Sequence, residues 1–315
     1  MAVKEIPVYL FLGFLEAGKT TFLQGTLEDE RFNSGEKTLL ILCEEGEVEP
    51  DFSRFAYPNV YKEVLDRPEQ INMDKLYALC KKHNAERVIL EYNGMWQVSD
   101  LMAAFPEGWM LAQCLAFFDG TTIDVFNANM RSLVVDKLTW CDLAVFNRLP
   151  VGADTTPLHK LVRGVTRRSD IAYEFADGSN VYDDTEDPLP FDKDAAVIDV
   201  ADRDYALWYR DLSENMEDYD GKLVRFLAVV ANDDKMPAGM FFGGRHVMTC
   251  CEADISYHGL LCVADKADVK SYDWVRLTAQ IRLEKNKFYK SRGPVLYVKD
   301  MEKAEKPEQP VATFY

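Results

Sequence analysis

The stretch GFLEAGKTT, residues 13–21, decides the fold of the first part of the chain. It fits the pattern G-x-x-x-x-G-K-[ST], follows the apolar run IPVYLFL of residues 6–12, and opens a helical pattern at Thr20. An apolar run of that length suits a strand that is buried on both faces of a parallel sheet. Strand, loop and helix in this order predict a phosphate-binding loop.

The residue types in this loop have separate parts in phosphate binding. Glycines such as Gly13 and Gly18 let backbone N–H groups converge on phosphate oxygens, while the helix N-terminus adds positive potential. Lys19 can reach the β- and γ-phosphates, and the Thr20 hydroxyl can bind Mg²⁺. Thr21 is expected to contact the α-phosphate. We therefore expect a nucleotide with Mg²⁺ as the ligand.

Strand patterns and helical patterns alternate after this loop. Strand-like runs cover residues 37–43, 86–90, 112–118, 141–146 and 170–176, and helical patterns cover 70–83, 122–137 and 155–168. Alternation of this kind predicts an α/β fold with a doubly wound, mostly parallel sheet. We assign it to a first domain, residues 1–180.

The second part of the chain has a different character. Residues 183–220 carry fourteen acidic and three basic side chains, and 181–201 is predicted to be an acidic linker. An amphipathic helix is expected over 202–219. Short strand-like runs then follow one another without a helix, which predicts a small antiparallel β-barrel within a second domain, 202–315.

Composition excludes several classes of function. The 315 residues include 53 acidic and 36 basic side chains, a net charge of −17, which disfavours nucleic-acid backbones and anionic lipid surfaces as partners. No apolar run approaches the roughly 18 residues that span a bilayer, so we expect no membrane insertion. Seven cysteines without a disulfide-scaffold spacing indicate a reducing, cytoplasmic location.

Three later strand ends carry polar residues where a nucleotide-binding sheet needs them. In LEYNG, residues 90–94, Glu91 could hold Mg²⁺ or position the attacking water, and Gly94 allows a close approach to the γ-phosphate. Asp119 is a weaker candidate for the magnesium shell, because an Asp at a strand end is often a turn residue. Asn147 ends another strand where a base-recognition loop would begin.

GFLEAGKTT, ILCEEGEVE, ILEYNG, FFDGTTID and VFNRLP, in this order and spacing, resemble the CobW/HypB/UreG group of P-loop GTPases, and CobW-like members above all. The resemblance covers roughly residues 5–180, and Glu91 and Gly94 match the group's Glu-x-x-Gly motif. It implies Mg²⁺-dependent GTP hydrolysis (catalytic residues Lys19 and Glu91) in the service of metal delivery to a client protein. It also makes a homodimer plausible, in which Glu16 could pair across the interface.

The same resemblance identifies CEEGEVE, residues 43–49, as a first switch segment. Glu44, Glu45 and Glu47 then become candidates for sensing nucleotide or metal. The alternative is an ordinary solvated acidic loop.

The chain departs from the group's pattern at three places. Where members carry Asn-Lys-x-Asp, this chain has Asn147-Arg148-Leu149-Pro150, and proline cannot accept the guanine N–H donors unless a carboxylate such as Asp154 substitutes. Glu16 stands beside Ala17 in place of a small residue, and a carboxylate near a triphosphate costs Coulomb energy unless it points away or pairs with a cation. The group's Cys-x-Cys-Cys motif is missing from residues 52–79.

The second domain supplies a cluster of possible metal ligands in HVMTCCEADISYHGLLC, residues 246–262. Thiolate and imidazole are preferred zinc ligands, and four of them would make a tetrahedral site. The alternative is that the cysteines pack as small core residues, and Cys250 and Cys251 would point to opposite faces of a regular strand. The candidate zinc ligands are His246, Cys250, Cys251, His258 and Cys262.

GKLVRFLAVV, the cysteine segment, YDWVRLTAQI and a Pro-x-x-Pro end resemble the C-terminal domain of YcgQ-type proteins over about residues 195–315. The resemblance implies an OB-like barrel, a link to metal homeostasis and a permease-associated partner. An OB fold that bound nucleic acid would use a basic groove, which the acidic surroundings disfavour.

Three functional hypotheses result. The first is a cytoplasmic GTP (or ATP) hydrolase coupled to delivery of a metal such as zinc. The second is a nucleotide-gated binding module with negligible hydrolysis, which the degenerate base motif and Glu16 would fit. The third, an ATP-dependent kinase or synthetase, lacks any acceptor-site signature.

Overall fold

The computed structural model describes residues 5–232, 236–249, 255–265, 269–286, 288–289 and 292–314. The chain divides into two compact units, the first ending at Thr185 and the second beginning at Glu186. Within the described ranges, no helix has both the length and the apolar character needed to cross a membrane.

The described part of the first unit forms one eight-stranded sheet with helices. Its strands are β1 (Ile6–Gly13), β2 (Thr38–Leu42), β3 (Val60–Val64), β4 (Arg87–Glu91), β5 (Trp109–Asp119), β6 (Leu143–Leu149), β7 (Asp170–Phe175) and β8 (Asn180–Tyr182). Its α-helices are α1 (Lys19–Glu28), α2 (Met73–His83), α3 (Val98–Ala103), α4 (Ile123–Asn129), α5 (Arg131–Trp140) and α6 (Thr156–Arg163).

The order of strands in this sheet is β3-β2-β4-β1-β5-β6-β7-β8. All neighbours run parallel except β8, which lies antiparallel to β7. The predicted doubly wound, mostly parallel α/β fold is therefore confirmed for this unit.

Both faces of the central strand β1 are covered, as its continuous apolar run predicts. Leu10 and Leu12 pack in one core cluster, and Phe11 packs in another. Because β1, β4, β5 and β6 are parallel, their carboxyl ends meet at one edge of the sheet. This edge carries Glu91, in register with Phe11, and the paired residues Asp119 and Asn147.

One helical prediction differs from the structure in its continuity. The pattern over 122–137 forms two helices, α4 and α5, which are separated at Met130. Asparagine disfavours helix interiors because its side chain competes for backbone hydrogen bonds, and Asn129 Nδ2 donates to the Val125 carbonyl at 2.8 Å at this point. Asn129 thus places a competing side-chain donor at the point where α4 ends.

The described part of the second unit contains one α-helix, α7 (Tyr205–Glu214), which is flanked by short 3₁₀ segments. Its strands are β9 (Ile198–Asp199), β10 (Leu223–Ala231), β11 (Met240–Met248), β12 (Ser256–Val263), β13 (Trp274–Lys285), β14 (Arg292–Lys303) and β15 (Val311–Thr313).

Five of these strands close into a barrel in the order β10-β11-β12-β14-β13 and back to β10. β12 and β14 pair in parallel, and the other four pairings are antiparallel. This Greek-key order is that of an OB-like barrel, so the predicted second fold is confirmed. Helix α7 buries Trp208 against Phe226 of β10, with ring centroids 4.8 Å apart.

The acidic segment 181–201 is divided between the units. Its first residues end strand β8, whereas Ile198 and Asp199 pair with β10 in the second unit. Phe191 is buried in the core of the second unit. A few apolar residues spaced among the acidic ones anchor much of this stretch to the barrel.

Candidate functional site

The loop between β1 and α1 wraps around the ammonium group of Lys19. Gly13 (φ 143°) and Gly18 (φ 93°) have backbone conformations that L side chains rarely adopt, and a Cβ on Gly13 would lie 2.4 Å from the Phe117 carbonyl oxygen. Lys19 is buried, and its Nζ donates to the carbonyls of Gly13 at 3.0 Å and Phe14 at 2.8 Å. The lysine therefore closes the loop upon itself.

A carboxylate from the segment after β2 reaches this ammonium group. Glu44 forms an ion pair with Lys19, and its other oxygen accepts a hydrogen bond from the backbone N–H of Gly94 at 3.1 Å. A Cβ on Gly94 would lie 2.7 Å from the Gly13 carbonyl oxygen. Gly94 is thus packed directly against the loop, and only glycine fits there.

The Thr20 hydroxyl and the Glu91 carboxylate lie side by side at the start of α1. Thr20 Oγ1 donates to Glu91 Oε1 at 2.9 Å and to Oε2 at 3.1 Å. Burial raises the pKa of Glu91, and the Lys19 charge and the Thr20 hydrogen bond partly offset this effect. Hydroxyl and carboxylate oxygens are the ligands that Mg²⁺ prefers, and a nearby cation would relieve the cost of the buried carboxylate, so these residues fit a magnesium site.

Glu16, the unexpected carboxylate of the loop, is turned toward the predicted switch segment. Its Oε1 accepts a hydrogen bond from the backbone N–H of Glu47 at 2.9 Å. Its backbone has φ 61°, and its carbonyl accepts a hydrogen bond from Arg148 Nη1 at 2.8 Å. Glu16 therefore ties the phosphate loop to residues 44–48, of which Glu44, Gly46 and Val48 line the same cleft as Glu16.

The three glutamates of the predicted switch segment have different surroundings. Glu44 is engaged by Lys19 and Gly94, as described above, whereas the side chains of Glu45 and Glu47 are exposed. Thr21 is exposed as well. It borders both the cleft that Glu16 and Glu44 line and a second cleft beside Asn147.

Asp119 is engaged away from Thr20 and Glu91. Its carboxylate forms an ion pair with Arg148 and accepts hydrogen bonds from the N–H of Thr121 at 2.8 Å and from its hydroxyl at 2.6 Å. These hydrogen bonds lower the pKa of Asp119 against the opposing effect of burial. Asp119 thus braces Arg148 over the loop, and we do not include it in a magnesium shell.

Asn147 links strand β6 to the loop between β1 and α1. Its Nδ2 donates to the Ala17 carbonyl at 2.8 Å, and a Cβ on Gly18 would lie 2.8 Å from this nitrogen. Its buried Oδ1 has no hydrogen-bond partner within the part of the chain that the structure describes. A ligand donor would satisfy this oxygen.

A second cleft opens beside Asn147 and contains a carboxylate that the sequence motifs do not reveal. Phe22, Phe117, Glu174 and Asn180 are among the residues that line it. Asp154, the substitute suggested by the sequence, instead accepts a hydrogen bond from the Thr156 N–H at 3.0 Å at the start of α6 and does not border this cleft. Glu174 is the carboxylate among the residues that line this cleft.

Lys137 of α5 is a second lysine near the phosphate loop, and it was not singled out from the sequence. It is fully buried, with its Nζ 5.0 Å from the centroid of the Phe14 ring and 3.5 Å from the Leu133 carbonyl. Burial lowers its pKa to about 8, and the nearby Lys19 charge acts in the same direction. In the sequence, Lys137 stands at the end of a helical pattern, and such a pattern does not predict that a lysine is buried.

The candidate zinc ligands of the second unit that the structure describes do not come together. On the β11–β12 ladder Arg245 faces His258 and His246 faces Tyr257, so the two histidines project from opposite faces. The described residues contain no group of three His, Cys, Asp or Glu side chains that could hold a metal ion. The predicted convergence of His246 with His258 does not occur.

Cys262 is a core residue. It is fully buried among apolar side chains, and this burial raises the pKa of its thiol to about 12, which disfavours the thiolate that zinc requires. The candidates Cys250 and Cys251 lie outside the described residues.

Comparisons with known proteins bear on both units. Comparison with curated proteins gives no significant match. Among solved structures, the hydrogenase maturation factor HypB from Archaeoglobus fulgidus is 18% identical with a TM-score of 0.40, covering 55% of this chain and 82% of that one. The Zn(II)-bound YjiA GTPase from E. coli is 17% identical with a TM-score of 0.44, covering 86% of this chain and 92% of that one. Residues 178–312 match the family model of the DUF1980 C-terminal domain, which confirms the resemblance predicted for the second half.

Proposed function

We propose that the first unit binds a nucleoside triphosphate together with Mg²⁺ and hydrolyses it. The observation that carries the proposal is the position of Lys19, held by the carbonyls of Gly13 and Phe14 beside the Thr20–Glu91 pair. A lysine at the head of a helix, next to oxygen ligands for a cation, is the arrangement that phosphoryl transfer needs.

Each side chain has a separate task in this proposal. Lys19 and the loop N–H groups stabilise the charge that develops on the transferring phosphoryl group. Thr20 and Glu91 would hold Mg²⁺, which when bound neutralises charge on the β- and γ-phosphates. Glu91, whose carboxylate is hydrogen-bonded to Thr20 Oγ1 at 2.9 Å, would also orient the attacking water.

The base preferred by this site is proposed to be guanine, with Glu174 in the place of the missing aspartate. A carboxylate accepts hydrogen bonds from the adjacent N1–H and N2–H₂ donors of guanine. Glu174 lines the cleft beside Asn147, with aromatic side chains such as Phe22 and Phe117 nearby. Adenine offers an amino group beside its N1 acceptor and can donate only one of these two hydrogen bonds, so GTP is expected to bind more tightly than ATP.

A second candidate function is a nucleotide-gated binding module with negligible hydrolysis. Glu44 favours this candidate, because its carboxylate forms an ion pair with the Lys19 ammonium group that catalysis would need. The module would change the conformation of residues 44–48 on binding nucleotide and would report to a partner protein. Product formation separates this candidate from the hydrolase.

A metal-related role for the whole chain belongs to the proposal as its second step. It is supported by the resemblance of the first unit to metal-delivery GTPases and by the adjacent thiols of Cys250 and Cys251. Nucleotide turnover would then be coupled to zinc transfer toward a client or permease-associated protein, in the cytoplasm and with a homodimer as the working form.

Turnover measured on the purified full chain tests the enzyme proposal. GTP and ATP are each incubated with Mg²⁺, with and without zinc, and phosphate release is compared between the wild-type chain and Lys19→Ala. Lys75→Ala, at an exposed position of α2, is the matched control for loss of a lysine. Phosphate release that does not exceed the Lys19→Ala level under any condition removes the hydrolase, while nucleotide binding that depends on Lys19 would then favour the module.

A further inference from the structure

The Lys19 ammonium group has three N–H donors, and the protein itself uses all of them. Two donate to the carbonyls of Gly13 and Phe14, and the third faces the carboxylate of Glu44. The side chains of Lys19 and Glu44 are only 2% and 10% exposed, so water screens this ion pair weakly. A γ-phosphate that reaches this ammonium group has to compete with Glu44 for it.

The Glu44 carboxylate also accepts a hydrogen bond from the backbone N–H of Gly94 at 3.1 Å, and this N–H is a second group that could bind an anion. This N–H is held against the phosphate loop, because Gly94 packs on the backbone of Gly13 and Phe14. A terminal phosphate bound in the loop would face the same two donors, the Lys19 ammonium and the Gly94 amide. One carboxylate therefore occupies both of the donors that a γ-phosphate would face.

A carboxylate and a phosphate oxygen cannot share these donors at the same time, since two anions in contact repel each other strongly in a site with little water. A diphosphate has no γ-phosphate and can bind in the loop while Glu44 keeps its place. A triphosphate can bind fully only if Glu44 leaves. Because Glu44 belongs to the segment that Glu16 holds through the Glu47 N–H, its departure would move residues 44–48.

We propose that Glu44 is the residue that sets the preference of this site between nucleoside triphosphates and diphosphates, by occupying the place of the γ-phosphate until a triphosphate displaces it. This inference rests on the proposed nucleotide-binding function. In this proposal the Glu44 carboxylate competes with the γ-phosphate, which fixes the direction in which triphosphate affinity changes when the carboxylate is removed. Loss of its carboxylate strengthens triphosphate binding, whereas a metal-binding or phosphate-orienting role would make the same loss weaken it.

The test measures the affinity of the full chain for a non-hydrolysable GTP analogue and for GDP, both with Mg²⁺, by calorimetry. Glu44→Gln removes the charge and keeps the shape of the side chain, and we expect it to raise the ratio of triphosphate to diphosphate affinity at least about fivefold. Glu44→Asp keeps the charge but shortens the reach, and an intermediate ratio is expected. Glu49→Gln removes an exposed carboxylate of the same segment and should leave the ratio unchanged.

Hydrogen exchange of residues 43–49 provides a second readout that does not depend on affinity. In the wild-type chain the GTP analogue should increase exchange in this segment and GDP should not, while in Glu44→Gln exchange should already be high without nucleotide. An unchanged or lower affinity ratio in Glu44→Gln, with binding that still requires Lys19, overturns this inference alone. A wild-type chain that binds neither nucleotide in a Lys19-dependent way overturns the proposed function and the inference together.

Discussion

The carboxylate of Glu16 accepts a hydrogen bond from the backbone N–H of Glu47 at 2.9 Å, which joins the phosphate loop to the segment that follows β2. A glutamate at this loop position lies close to where phosphate would bind, so its charge is a cost that the site tolerates. The contact to Glu47 gives the side chain a structural use, because it holds the segment over the loop.

Removal of this contact is expected to loosen the segment. In Glu16→Ala the Glu47 N–H loses its acceptor, and residues 44–48 should exchange their amide hydrogens several-fold faster in the nucleotide-free chain. Glu16→Gln keeps a carbonyl acceptor at the same reach and should retain most of the protection. Equal exchange in Glu16→Ala and the wild-type chain would show that other contacts hold the segment.

Magnesium dependence is expected to rest on Thr20. Its hydroxyl is hydrogen-bonded to Glu91 at 2.9 Å, and Thr20 directly follows Lys19 at the start of α1. Thr20→Ala should lower the stimulation of nucleotide binding by Mg²⁺ about tenfold or more, whereas Thr20→Ser keeps the hydroxyl and should stay near wild type. A magnesium titration of nucleotide binding measures the difference. Equal magnesium curves for the alanine and serine variants would place the metal elsewhere.

The phosphate loop was predictable from sequence because its constraints are local. The motif around Gly18 and Lys19, with a buried strand before it and a helix after it, specifies the strand–loop–helix backbone and favours a phosphate group as the ligand. The alternation of strands and helices similarly predicts the parallel sheet, and through the sheet it brings Glu91 and Asn147 to the same edge. Periodicity carries this information because each element buries its own apolar residues.

The contacts that modify the site were not predictable, because they join residues far apart in sequence. Glu44 and Gly94 are fifty positions apart, and Glu174 reaches the cleft beside Asn147 through the pairing of β7 with β6. The prediction that His246, His258 and Cys262 come together in a metal site was wrong for the opposite reason. These residues are close in sequence, but strand alternation places them on different faces or in the core.

Lys137 is expected to destabilise the folded chain near neutral pH. Its pKa is lowered from 10.5 to about 8 by burial, so below pH 8 the folded protein keeps a charge in an apolar site. The unfolded chain binds more protons between pH 8 and 10.5, and the free energy of unfolding therefore rises with pH across this window. Lys137→Met should thus stabilise the protein by about 1–3 kcal/mol at pH 7, after loss of the contact with the Phe14 ring.

The pH dependence of this difference provides the control. As pH rises above 8 the wild-type lysine becomes neutral in the folded state, so the advantage of Lys137→Met should shrink toward zero near pH 10.5. Lys75→Met, at an exposed position of α2, should show neither the gain nor its pH dependence. Denaturant unfolding at pH 7 and pH 10 measures both variants, and a constant difference at the two pH values would contradict the prediction.

Base selectivity is expected to depend on Glu174. If its carboxylate accepts the guanine N–H donors, Glu174→Gln should weaken GTP binding about tenfold, because a charge-assisted hydrogen bond is lost and an amide N–H₂ can face a donor. ATP binding should change much less. Asp154→Asn provides a matched loss of one carboxylate outside the cleft and should affect neither nucleotide. A GTP affinity that survives Glu174→Gln would assign base recognition to other residues.

Zinc binding by the second unit is expected to separate the adjacent pair Cys250 and Cys251 from Cys262. Changing the pair to serine should lower the zinc content of the purified chain. Cys262→Ser places a hydroxyl in the barrel core and should cost about 1–3 kcal/mol of unfolding free energy while zinc content stays unchanged. Metal analysis and denaturant unfolding on the same samples test both statements. If folded Cys262→Ser protein contains less zinc than the wild-type chain, Cys262 is a zinc ligand after all. If the zinc content is unchanged when Cys250 and Cys251 are both replaced, this pair does not bind zinc.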